Sequence, residues 1–238
     1  RWAGYGFGGA IAAAAAMFAV PMMTAGPAQI AYETGPGQTR MVTLADGTQV
    51  ALASSSRLLV AKDDKNDISI EGAAWFSVPH NPLRTLVIRA DGYRISDIGT
   101  RFEVKSVGER LTVAVADGSL SVGAGGLSRK VQLHGGQRLM VARDIGLAEV
   151  GKIEGGDIAS WRSGRLVYQD VPLSLVATDL SRYAGTNVVA DPAIARRRFS
   201  GVLSIGDGSG LVKDISQIMG LAVRPEGNDV RLVDRGAG

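Results

Sequence analysis

The chain has 238 residues, no cysteine, two histidines and a formal net charge of +3 from 26 basic and 23 acidic side chains. The lack of thiols excludes disulfides, zinc–thiolate sites and cysteine nucleophiles together. Acidic and basic residues are interspersed, and the one basic cluster, Arg196-Arg197-Arg198, has no aromatic residue among it, so it reads as a solvated patch and not as a nucleic-acid footprint.

No charged residue lies between Arg1 and Glu33, and the run from Gly9 to Val20 is almost purely apolar. At about 1.5 Å of rise per residue, Trp2 to Met23 would form a helix of roughly 33 Å, enough for a hydrocarbon core of about 30 Å. Trp2 and Tyr5 suit a membrane interface, and Arg1 beside them suits the cytoplasmic side. Residues 1–23 are therefore expected to form a single transmembrane helix, with a cleaved signal peptide as the rival reading. A linker is expected over 24–38, where Pro27, Gly35, Pro36 and Gly37 interrupt a polar stretch.

Period-two alternation begins at Thr39. Val42 and Leu44 are followed by Asp46-Gly47 and then by Val50 and Leu52, a strong hairpin signal. Asp91-Gly92 repeats it between Leu86–Ile88 and Tyr93/Ile95, and Asp117-Gly118 between Leu111/Val113/Val115 and Leu120/Val122. Further strands are expected at 58–61, 68–71, 74–78, 101–105, 130–133 and 138–142. With no convincing period of 3.6, residues 39–150 read as an all-β domain of sandwich, prism or roll type.

Gly151, Gly155 and Gly156 mark a boundary, and a different unit is expected over 161–238. A strand at 165–168 leads to Asp170-Val171-Pro172, where Asp170 could cap a helix with Pro172 in its first turn. Leu173, Val176, Leu180 and Tyr183 follow a helical face that ends at Gly185. Strands at 187–190 and 199–205 come next. Gly206–Gly210 then opens a second helix, with Leu211, Ile215, Ile218 and Met219 on one face, and a terminal hairpin closes the chain. The order β-α-β-β-α-β-β describes a small α+β unit.

Several patterns carry little chemistry. His80 and His134 lie far apart with no accompanying metal-ligand motif, so no metal and no cofactor is expected. Asp63-Asp64-Lys65-Asn66-Asp67 lacks the glycine and terminal glutamate of a calcium loop. Gly206-Asp207-Gly208-Ser209-Gly210 lacks the Gly-Lys-Ser/Thr ending of a phosphate loop.

Residues 43–50 (Thr-Leu-Ala-Asp-Gly-Thr-Gln-Val), 71–78 (Glu-Gly-Ala-Ala-Trp-Phe-Ser-Val), 98–104 (Ile-Gly-Thr-Arg-Phe-Glu-Val), 113–118 (Val-Ala-Val-Ala-Asp-Gly) and 136–139 (Gly-Gln-Arg-Leu) resemble, in order and spacing, the ectodomain of FecR-type regulators. These are the transmembrane anti-sigma factors of iron-siderophore signalling. Ala73-Ala74-Trp75 departs from the Glu-Ala-Phe common in that family. Tyr168-Gln169-Asp170-Val171-Pro172-Leu173 and Asp191-Pro192 are similar to the short domain shared by secretins and TonB-dependent receptors.

The resemblance implies a single-pass inner-membrane protein with residues 24–238 periplasmic. Its expected partners are the periplasmic signalling domain of a TonB-dependent outer-membrane receptor, site proteases, and an extracytoplasmic-function sigma factor reached through a cytoplasmic segment not contained in residues 1–238. Deleting 161–238 would then abolish receptor docking and leave the β domain folded. A membrane-tethered envelope adaptor docking a secretin is the alternative. The family also implies possible self-cleavage between Gly99 and Thr100, with the threonine hydroxyl attacking the preceding carbonyl. The structural reading of the same pair is a glycine at a bulge followed by a threonine in a strand. Turnover of an external substrate is not expected.

Overall fold

The structure is a computed structural model and describes residues 28–124, 127 and 129–236. The expected span at 1–23 lies outside them. In chain order the first strands are β1 (Gln29–Glu33), β2 (Arg40–Thr43), β3 (Gln49–Leu52), β4 (Arg57–Ala61), β5 (Asp67–Glu71), β6 (Ala73–Ser77), β7 (Leu86–Ala90) and β8 (Tyr93–Asp97). They are followed by β9 (Arg101–Val107), β10 (Arg110–Asp117), β11 (Ser119–Ala124), β12 (Val131–His134), β13 (Gln137–Ala142) and β14 (Leu147–Lys152).

These strands form two seven-stranded sheets. Sheet A runs β1-β4-β5-β7-β8-β11-β12 and sheet B runs β14-β13-β10-β9-β6-β3-β2. All ladders are antiparallel except β5 with β7. One core joins the sheets: Leu58, Ile68, Ile88 and Ile95 from sheet A meet Leu52, Phe76, Phe102 and Leu139 from sheet B. The alternation seen in the sequence places each of these side chains inward. Phe76 and Phe102, directly opposite across β6 and β9, stack with ring centroids 5.1 Å apart.

Local chemistry explains two hairpins and redirects a third. At Asp46-Gly47 the Asp46 carboxylate accepts from Thr48 N (2.9 Å) and Thr48 Oγ1 (2.6 Å), closing β2 onto β3. Asp91 and Gly92 both adopt positive φ, as a tight β7–β8 hairpin requires. Asp117-Gly118, expected as a hairpin, is instead a crossover. A bulge between Val115 and Asp117 interrupts the β9–β10 ladder before its last pair, Asp117 with Arg101, and the chain then leaves sheet B to pair β11 with β8 in sheet A. Residues 29–33, expected within a linker, form edge strand β1 on β4. Ile30 and Tyr32 alternate there, and the backbone groups of the sheet edge supply the pairing. Strand β14, not foreseen, forms one edge of sheet B against β13.

Beyond β14, Ser160–Ser163 forms a 3-10 turn holding buried Trp161. The remaining elements are β15 (Arg165–Pro172), α1 (Leu173–Ser181), β16 (Asn187–Ala190), β17 (Arg198–Ser204), α2 (Leu211–Met219), β18 (Leu221–Glu226) and β19 (Asp229–Asp234). Strand β15 pairs with β17, and β16-β19-β18 form a mixed sheet. Leu173, Val176, Ala177 and Leu180 bury one face of α1. Asp170 is not its cap. It sits at φ +53 in a bulge of the β15–β17 ladder, Pro172 occupies the cap position, and Arg197 O and Ala195 O receive the first helical amides. In α2, Leu211 and Ile215 are buried, but Ile218 is 60% exposed, because the helix ends within a turn of it at Gly220.

The α+β unit has no separate core. Ala51, Ala53, Ala73 and Trp75, on the outer face of sheet B, belong to the same apolar cluster as Leu173, Leu180, Leu211 and Leu232. Gly208 shows how closely its backbones approach: at φ +86, an added Cβ would lie 2.0 Å from Tyr183 O. This close approach is what a glycine at 208 permits. Gly208→Ala is expected to lower the unfolding free energy by about 2–4 kcal/mol, read from a urea titration.

Candidate self-cleavage site

Gly99 and Thr100 lie in the three-residue passage Ile98–Thr100 from β8 in sheet A to β9 in sheet B. Gly99 has φ +147, a conformation open to glycine alone, and an added Cβ would lie 2.4 Å from His80 Cα. The backbone on either side is pinned. Asn81 N donates to Ile98 O (2.8 Å) and Val78 N donates to Thr100 O (2.9 Å). The sharp φ is thus imposed by the strand ends and by the segment carrying His80.

Asp97 closes the site. Thr100 Oγ1 donates to Asp97 Oδ1, and Gly99 N donates to Asp97 Oδ2 at 3.2 Å. Asp97 is 1% and Thr100 3% exposed. Burial pushes the Asp97 carboxyl above its ordinary value, and that desolvation outweighs the bonds from Thr100 Oγ1 and the amides of Gly99, Ile98 and Thr100. A carboxylate with raised basicity, held on a threonine hydroxyl, is the arrangement a general base requires.

Gly118 completes the enclosure from the crossover after β10. Its φ is +85, and an added Cβ would lie 2.6 Å from Thr100 Cγ2 and 3.0 Å from Gly99 O. The structure therefore brings the two sequence-predicted residues together with Asp97, His80 and Gly118, which sequence reasoning left out. Asp97 was findable: an aspartate two residues before a Gly-Thr pair can cap both following groups. His80 and Gly118 are brought in by the two-sheet topology and carry no local signal. His80 packs its backbone on Gly99, whereas His134 is exposed at the end of β12, opposite Ser119.

Two facing β-sheets whose outer surface carries a fused α+β unit, with a strained Gly-Thr junction between the sheets, define the class of fold. Residues 30–121 match the family described as FecR protein. Two crystal structures of a "putative anti-sigma factor" from Parabacteroides distasonis ATCC 8503, at 2.50 and 1.65 Å, share the fold. They align with TM-scores of 0.80 and 0.79, each at 21% identity, over 88% and 87% of this chain and 100% of that one. No curated protein matches significantly.

Proposed function

We propose that this chain is the anchor and extracytoplasmic part of a FecR-type signal transducer. In this reading it regulates an extracytoplasmic-function sigma factor in response to a TonB-dependent outer-membrane receptor, in ferric-siderophore uptake. The observation that carries it is the FecR match over residues 30–121. Residues 1–23 anchor the protein in the inner membrane and 24–238 lie in the periplasm. None of the described helices is long and apolar enough to cross a membrane, so this anchoring role rests on the sequence of 1–23 alone. The secretin/TonB-like unit at 161–238 docks the receptor's signalling domain, and the protein turns over no external substrate.

The same reading includes one self-directed reaction. Asp97 takes the proton of Thr100 Oγ1, and the oxygen attacks the Gly99 carbonyl carbon. The Gly99–Thr100 C–N bond breaks, the proton passes to the departing nitrogen, and an ester remains. Water hydrolyses the ester to a Gly99 carboxylate and a Thr100 with free hydroxyl and amine. The fragments would stay assembled. The cut leaves one ladder between them in each sheet, β8–β11 and β6–β9, and a shared core.

The docking role is tested by incubating the full chain with a panel of receptor periplasmic signalling domains and secretin domains from the same genome. Specific capture of one domain is the expected result. Capture of a secretin domain instead would replace this reading with that of an envelope adaptor, and capture of none would overturn the docking role.

A further inference from the structure

The proposed scission has two steps, and Asp97 is placed for the first. Its carboxylate accepts from Thr100 Oγ1 and Gly99 N, and Asp97 and Thr100 are 1% and 3% exposed, so that side of the bond is closed to solvent. Hydrolysis of the ester needs a water and a base to take its proton. Of the scissile pair only Gly99 is part-exposed, and the residue against its Cβ position is His80, itself exposed.

The imidazole shares in that contact. An added Cβ on Gly99 would lie 2.8 Å from His80 Nδ1 as well as 2.4 Å from His80 Cα. A Cβ stands ~2.5 Å from the carbonyl carbon of its own residue, so Nδ1 is at most ~5.3 Å from the scissile carbon. One water spans that gap, with its oxygen toward the carbon and a hydrogen toward the nitrogen. The chain is fixed on both sides of His80, by Val78 N on Thr100 O (2.9 Å) and by Asn81 N on Ile98 O (2.8 Å). Asn81 Oδ1 also accepts from Leu83 N (3.0 Å), closing the turn that follows. Among the described residues the imidazole has no hydrogen-bond partner, so neither ring nitrogen is committed elsewhere.

We infer that His80 is the base of the second step, a role that rests on the self-cleavage reading above. Nδ1 takes a proton from water, the water oxygen bonds to the Gly99 carbonyl carbon, and the ester bond to Thr100 Oγ1 breaks. His80 returns the proton to the departing oxygen, and the new Gly99 carboxyl releases its own proton to solvent. Asp97 drives the acyl shift and His80 the hydrolysis, so loss of each stops scission at a different stage.

The test follows the full chain after refolding, with samples quenched in denaturant with and without hydroxylamine and read by intact mass. The ester has the mass of the uncut chain, and hydroxylamine cleaves it to a Gly99 hydroxamate, distinct in mass from the Gly99 carboxylate. The unaltered chain is expected to yield the carboxylate fragment. His80→Ala and His80→Gln should slow that fragment's appearance by about tenfold or more, with hydroxylamine-sensitive ester accumulating in its place. Added imidazole should speed hydrolysis in His80→Ala, and Asp97→Asn should accumulate no ester. Scission at the unaltered rate in both His80 variants, slowed scission without ester, or ester that imidazole leaves unmoved would overturn the role of His80 and leave self-cleavage standing. An unaltered chain that stays uncut would overturn self-cleavage and the role of His80 together.

Discussion

Asp97→Asn is expected to slow the proposed scission at Gly99-Thr100 by about 10²- to 10⁴-fold, the usual contribution of a positioned base. The amide still accepts from the Thr100 hydroxyl but cannot take its proton. Thr100→Ala should abolish scission, and Thr100→Ser should retain it, since serine keeps the attacking oxygen. Freshly refolded protein sampled over time by intact mass gives the rate directly. The pH dependence separates a base from a structural contact. Burial holds the Asp97 carboxyl above its ordinary value of 3.8, so the reactive ionised fraction, and with it the rate, rises with pH through that raised value. Stability runs the other way. A carboxyl whose folded pKa exceeds its unfolded one contributes stability fully below the unfolded value, and loses it as pH rises through the folded one. Ionising Asp97 therefore costs the fold stability over the same rise in pH that would speed the proposed reaction. Buried Glu103, raised mainly by desolvation, has the same sign, so Asp97→Asn should flatten the rate profile fully and the stability profile only in part. A rate insensitive to Asp97→Asn would remove Asp97 as the base, and no scission in the unaltered chain would reduce the site to a strained turn.

What the sequence made legible follows from how local each signal is. Inward alternation at Val42/Val50/Leu52 and Leu111/Val113/Val115 is set by the pleat itself, so the β-rich character of 39–150 could be read directly. The Asp-Gly turns at 46–47 and 91–92 satisfy themselves through one carboxylate or one pair of positive φ values. Asp117-Gly118 has the same letters, but its partner strands were decided elsewhere: Thr100 packs against Gly118, and β11 finds β8. Edge strands β1 and β14 were missed because an edge is stabilised by the strand beside it and needs little pattern of its own. Gly99 and Thr100 could be singled out, whereas His80 and Gly118 reach them only through the folded topology.

The same distinction governs the junction between the two units, where Arg182 yields the second large effect. Arg182 ends α1 and reaches into the β sandwich. Its Nη2 donates to Ser54 O (2.7 Å) and Ser56 Oγ (2.8 Å), its Nη1 to Ser106 O (3.3 Å), and its own carbonyl accepts from Gly37 N (3.0 Å) and Ser54 Oγ. Glu103, buried, accepts from Ala159 N (3.0 Å) and Trp161 Nε1 (2.9 Å), while Lys105 pairs with Asp179. Arg182→Ala strands several half-buried acceptors at once and should lower the unfolding free energy by about 2–4 kcal/mol, read from the urea midpoint. Because Ala51, Ala73 and Trp75 complete the core of the α+β unit, unfolding should remain a single transition with unchanged slope. Two separate transitions would mean that the units are independent after all. Deletion of 161–238 is correspondingly expected to do more than remove a docking surface. It would leave the Glu103 carboxylate and the Trp75 ring without their cover, so the truncated β sandwich should melt well below the intact chain. Glu103 and Lys105, which make these contacts, lie on β9, the strand that begins one residue after Thr100.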